Sequence, residues 1–118
     1  MDIAIAQQAD VTIVAVAGSL DALTADALTR TLQVQVRAGR TRLVAALAEL
    51  DYTSSAGLRV LLATLKEARQ RGGDLRLAGA RDRVQRVLEL SGFTSILKCF
   101  PDVSEAVASF DLVARALP

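Results

Sequence analysis

The chain has 118 residues and a net charge of +1: enough for one domain with a real core, and too neutral for an electrostatic grip on nucleic acid or an anionic membrane. It holds one cysteine and no histidine, which excludes an internal disulfide, a Ser–His nucleophile and the commonest zinc sites. Hydrophobic residues make up 52%, yet only one tyrosine and three phenylalanines are present, so the core must be built from Ala, Val, Leu and Ile.

In chain order, Met1-Asp2-Ile3 lacks the basic-then-apolar form of a signal peptide. Ile3 and Ile5 alternate with small or polar residues, which predicts a short, half-exposed first strand. Val11 to Ala17 is apolar on both faces, as a central strand covered on both sides requires, and Gly18 is expected to end it. At strand length, this run is too short to span a bilayer. Ser19-Leu20-Asp21-Ala22-Leu23-Thr24 leads into a helix to about Ala38, with Thr24 as the expected N-cap, Asp26 in the first turn, Leu28 and Leu32 inward and Gly39 as the stop.

Leu43 to Leu47 reads as a buried strand, followed by a polar loop containing Asp51 and Tyr52. A helix then begins near Ser55. Leu58, Leu61, Leu62 and Leu65 give it an inner stripe, and Arg71-Gly72-Gly73 end it. Leu75 to Ala78 is a strand and Arg83 to Leu90 a short helix with Val84, Val87 and Leu88 inward; Ser91-Gly92-Phe93 forms its C-cap. Ile96-Leu97-Lys98 is expected as a short edge strand. Asp102 with Glu105 resembles a capping box for a last helix using Val103, Val107 and Phe110, and the tail from Ala114 to Pro118 is expected to fray. The order β-β-α-β-α-β-α-β-α predicts one α/β domain over residues 1–118. Its sheet has four to five mostly parallel strands and right-handed crossovers, with four helices.

Ser54 and Ser55 fall at the carboxyl end of a central strand, where open α/β sheets collect ligands and active groups. Two readings stay open there. A serine oxygen can cap the helix, or a hydroxyl can gain and lose a phosphate that the free amides and the helix dipole would favour. Asp21 follows the other central strand and is expected at the same sheet edge, near Ser55, either as a turn carboxylate or as a group positioning the hydroxyl or a partner's metal ion. An enzyme finds no support. Ser54-Ser55-Ala56-Gly57 is not a Gly-x-Ser-x-Gly elbow, and Lys66 and Lys98 have no Ser–Lys spacing. There is no dinucleotide or phosphate-loop motif, and nothing calls for a cofactor or metal. Cys99 reads as a small, half-buried apolar group.

Three stretches carry a resemblance. Gly18-Ser19-Leu20-Asp21-Ala22-Leu23-Thr24, Tyr52 to Leu62, and Leu75-Arg76-Leu77-Ala78-Gly79 through Ser91-Gly92-Phe93 together resemble a STAS domain of the single-domain anti-sigma factor antagonists, the SpoIIAA and RsbV type. With the final Phe100-Pro101 and its helix, the likeness covers nearly the whole chain, and the central stretch is its most specific part.

The resemblance implies a cytoplasmic, non-enzymatic regulator that acts by partner switching. Unphosphorylated, such a protein binds an anti-sigma factor that is also a serine kinase and so frees the sigma factor. Phosphorylation of one serine breaks the complex, and a phosphatase resets it. Aligned on Gly57 and Leu58, the phosphoacceptor is Ser55, with Asp21, Thr53, Ser54, Ala56 and Gly57 around it. The partner surface is then expected at Asp21, Ser54 and Ser55, with Arg59 and Ala63 on the exposed side of the helix. Ser54 stands where the best-known members carry aspartate, and Ala45-Ala46 where many carry Asp or Asn. Both changes thin the acid around Ser55. Two other readings go with the resemblance: a small subunit of a lipid-trafficking ABC transporter, and an interaction module that is not phosphorylated.

Overall fold

A computed structural model describes the backbone of residues 1–116 and the side chains of residues 1–110. Its elements are β1 (Asp2–Gln8), β2 (Val11–Leu20), α1 (Ala25–Arg37), β3 (Arg42–Ala46), β4 (Leu50–Thr53), α2 (Ser55–Gln70), β5 (Asp74–Ala78), α3 (Asp82–Leu90), a 3-10 turn (Phe93–Ser95), β6 (Cys99–Phe100) and α4 (Val103–Ala116). Helix α4 thus enters the stretch expected to fray, whose last residues, Leu117 and Pro118, lie outside the described residues.

The six strands form one sheet in the order β1-β2-β3-β5-β6, with β4 paired to β2. Only β1 runs antiparallel; every other pair is parallel. The α/β architecture with four helices is the one the sequence predicts. The sheet carries one strand more than expected, because the stretch read as a polar loop after β3 contains β4. Gly18 explains how. Its φ of +94° and the register shift between Gly18 and Ser19 place a bulge there, and β2 continues past it to Leu20. β3 pairs with the first half of β2 and β4 takes over beyond the bulge, so the two share one lane of the sheet. The last strand also moves: Ile96 follows the 3-10 turn, Leu97 is buried, and the pairing with β5 falls on Cys99 and Phe100.

Alternation along the strands feeds two cores. Val14, Val16, Leu20, Leu43, Ala45, Leu75 and Leu77 face a large cluster completed by Leu28, Leu32 and Val36 of α1, Leu58, Leu61 and Leu65 of α2, and Val84 and Leu88 of α3. Val11, Val44 and Ala78 face a smaller one under Ala106, Val107 and Phe110 of α4. Two charged groups lie buried in β5, Asp74 at its start and Arg76, 5% exposed, at its centre. The Arg76 Nε donates to Asp74 at 3.0 Å, Nη1 donates to Ser109, and the guanidinium lies 3.9 Å from the centre of the Phe110 ring. A buried charge with this many partners holds α4 in place without an orphaned donor. Cys99 is half-buried against the large core, and burial first, then the Glu89 carboxylate, pushes its thiol pKa up, away from the reactive thiolate.

Candidate functional site

The site sits where β2 and β4 end side by side. Leu20 lies opposite Thr53, and Ser54 N donates to Leu20 O at 2.8 Å as the last rung. Asp21 and Ser54 are therefore the first residues beyond a shared strand end, as the sequence places them. The strand that aligns them is β4, rather than β3.

The two serines take different positions. Ser54 is extended at φ −94° and ψ 176°, and its Oγ accepts from Gly57 N at 3.4 Å while its carbonyl accepts from Leu58 N at 3.0 Å. Ser54 is thus the N-cap of α2. Ser55 is the first helical residue and is exposed, and its hydroxyl has no hydrogen-bond partner among the described residues. No bond from Ser55 N or Ala56 N is formed among them either, so two donors at the positive end of α2 stand beside the free hydroxyl.

Gly57 makes this seating possible. A Cβ there would lie 2.5 Å from Thr53 Oγ1 and 2.7 Å from Leu20 Cγ. Both neighbours are buried, Thr53 at 4% and Leu20 at 1% exposure. The glycine lets the first turn of α2 press onto the ends of β2 and β4, which fixes where Ser55 emerges. Ala56 is half-buried at the same turn. Arg59 and Ala63 are exposed one and two turns on, so Ser55, Arg59 and Ala63 form a row along the outer face of α2.

Asp21 resolves into a turn carboxylate. Its Oδ1 accepts from Leu23 N at 2.9 Å and from Thr24 N at 3.1 Å. Thr24 is the N-cap of α1 by position but makes no side-chain cap bond. Its backbone is already near-helical, at φ −101° and ψ −13°, and its hydroxyl turns back to accept from Asp21 N at 2.9 Å and to donate to Ser19 O at 3.0 Å. The loop is thus held by side-chain bonds at both ends, and it presents Leu23 at 91% exposure. We expect Asp21→Ala to lower stability by about 1 kcal/mol, the usual loss for such a capping carboxylate, as measured by denaturant unfolding.

Three residues of this pole escape a reading of the sequence. Leu23 falls outside the apolar stripe of α1, so its spacing gives no hint that it is displayed. Tyr52, read as a loop residue, lies on β4 and is 47% exposed. Arg81 reaches across from α3: its Nε donates to Ala48 O, one guanidinium nitrogen contacts Glu49 Oε2 at 3.1 Å and the other contacts Asp51. It offsets the two carboxylates nearest β4 and ties α3 to the β3–β4 turn. No sequence spacing links Arg81 to them, because the contacts span 30 and 32 residues.

A family model described as the STAS domain matches residues 2–106. The chain is a STAS domain protein. Among its relatives is a protein of Bordetella bronchiseptica named as a candidate anti-sigma factor antagonist, BtrV, 41% identical over 101 residues that cover 86% of this chain and 84% of that protein. The anti-sigma-B factor antagonist of Listeria monocytogenes is 38% identical over 84 residues, 70% of this chain and 73% of its own length. A crystal structure of a candidate anti-sigma factor antagonist from Thermotoga maritima superposes with a TM-score of 0.87 at 23% identity, covering 91% and 92% of the two chains. Within this STAS domain, the two departures from the family pattern acquire a physical meaning. Ser54 retains the capping that an aspartate would give and drops its charge. Of the pair Ala45-Ala46, Ala45 is buried at 3% in the large core, where a carboxylate would have to be desolvated, while Ala46 is half-buried at the strand end. Among the described residues, no helix is long and apolar enough to cross a membrane.

Proposed function

We propose that this STAS domain is an anti-sigma factor antagonist that works by partner switching in the cytoplasm, with Ser55 as its phosphoacceptor. In its unphosphorylated form it binds an anti-sigma factor with serine kinase activity. Phosphorylation of Ser55 releases it, and a serine phosphatase restores binding. The names of the two relatives support the antagonist role. The observation that carries the choice of residue is the division between the serines: Ser54 is committed to capping, and Ser55 is exposed with its hydroxyl free.

The partner surface in this reading is the pole around Ser55: the row Ser55, Arg59 and Ala63 on α2, with Ser54, Asp21 and Leu23 on the adjoining loops. A small serine at the first turn lets a partner approach closely. A phosphate there adds about −1.5 to −2 charges at neutral pH, which must be desolvated to keep the interface closed. The free amides of Ser55 and Ala56 and the dipole of α2 stabilise that phosphate on the released protein. No chemistry is asked of the chain itself. The transferred group and its acid–base chemistry belong to the kinase and phosphatase.

The test is incubation with the cognate anti-sigma kinase and ATP. One phosphate is expected on the wild-type chain and none on Ser55→Ala, while Ser54→Ala is still labelled. Labelling that survives Ser55→Ala contradicts the assignment.

A further inference from the structure

The two edges of the sheet are treated differently. At one edge, β6 is two residues long and is followed directly by Pro101, which has no amide hydrogen to offer. At the other, β1 is seven residues long and pairs with β2 along all of them without a shift. Among the described residues no strand lies on its outer side. The devices that usually blunt an open edge are missing from Met1 to Gln8: no lysine, no proline, no bulge. Ile5, in the middle of the strand, is 39% exposed.

We infer that β1 is a docking edge for a second copy of this chain, paired antiparallel about Ile5 to make one sheet continuous through the dimer. The sequence of β1 complements itself in that register. Ile5 meets Ile5 of the second copy, Ala4 meets Ala6, Ile3 meets Gln7, and the single charge, Asp2, meets the neutral Gln8. Like charges nowhere oppose each other, and the half-exposed isoleucine gains an apolar neighbour. On one face of the edge strand, Ala4 and Ala6 carry only methyl groups, so its centre is low there and a close approach is open. Such pairing is isologous and closes at two copies, leaving the short β6 edges outermost.

The dimer leaves the Ser55 pole free. A two-fold axis through Ile5 reverses the strand direction, so the two β2–β4 ends point opposite ways along the sheet. The assembly is then bivalent, with one partner-binding pole at each end, and Ser55→Asp does not alter its formation. The area is small, so the association is weak and reversible.

Sedimentation equilibrium of the full chain at concentrations up to about 1 mM, the range of a small interface, tests this. The wild type is expected to pass from monomer to dimer. Ile5→Lys and Ile5→Glu, each placing like charges face to face, are expected to raise the dissociation constant by more than about tenfold. An equimolar mixture of the two variants is expected to recover a heterodimer, because opposite charges then meet. Circular dichroism melting of each variant reports its folding. A wild type that stays monomeric, an Ile5→Lys variant that dimerises like the wild type, or folded variants that fail to pair when mixed each overturn the inference.

Discussion

Gly57→Val is expected to destabilise the fold by more than about 3 kcal/mol, the upper end of the cost of overfilling a packed core. A Cβ alone already falls 2.5 Å from Thr53 Oγ1, 2.7 Å from Leu20 Cγ and 2.8 Å from Leu20 Cδ2. Two further methyl groups have no space between buried neighbours. Relief requires either moving Leu20, which belongs to the large core, or lifting the first turn of α2 from the strand ends. The second course also detaches Ser54 from its cap and displaces Ser55. For a domain of this size the melting temperature should fall by roughly 10 °C or more, at about 4 °C per kcal/mol. Ala63→Val, the same side chain on the exposed face of α2, serves as the control and should cost less than about 1 kcal/mol, mostly helix propensity. A Gly57→Val protein that melts like the wild type would show that α2 is not seated against Leu20 and Thr53.

Ser55→Asp is expected to weaken binding to the anti-sigma partner about 30-fold or more while leaving the fold intact, since a buried unpaired charge costs an interface about 2 kcal/mol or more. The sign of the stability change separates this from damage. A carboxylate in the first turn of a helix interacts favourably with the dipole, by about 0.3–1 kcal/mol, and α2 has no acid in its first turn. The variant should therefore melt at the same temperature as the wild type or a few degrees higher, and still lose its partner. Calorimetric titration of the partner, beside thermal melting of the free chain, reads both. Undiminished affinity would mean that Ser55 lies outside the interface. Loss of affinity together with a lower melting temperature would point to unfolding instead.

Much of this was legible from periodicity. Leu58, Leu61 and Leu65 on α2, Leu28 and Leu32 on α1, and Val84 and Leu88 on α3 are spaced for an inner face and lie in one core. Glycine positions were informative where they end a helix, as Gly39 and Gly92 do with φ of +89° and +76°. Gly18 misled: a left-handed glycine can end a strand or bulge it, and the outcome depends on whether a partner strand lies beyond. That partner, β4, was hidden because Asp51 and Tyr52, its two central residues, are both exposed, so four residues show no alternation. The edge strand shifted from Ile96–Lys98 to Cys99–Phe100 because its backbone follows the 3-10 turn, which side-chain hydrophobicity does not report.

At the site, spacing alone left capping and modification open for both serines, and the family resemblance pointed to Ser55 as the phosphoacceptor. Backbone geometry adds that Ser54, which is extended, is the cap. Asp21 could be placed at the right edge, but not its use, which depends on the amides of Leu23 and Thr24 turning towards it. Arg81 and Arg76 were unreadable for a common reason. An arginine in an apolar strand or at a helix start takes its meaning from carboxylates and rings that only the fold brings near.

The most direct measurement is the affinity of the anti-sigma kinase for this chain before and after stoichiometric phosphorylation, with the modified residue mapped by mass spectrometry. We expect a single phosphate on Ser55 and a loss of affinity of more than about 100-fold, nearly 3 kcal/mol. A chain fully phosphorylated on Ser55 that binds its partner as tightly as before would contradict the central claim, as would a phosphate found on Ser54.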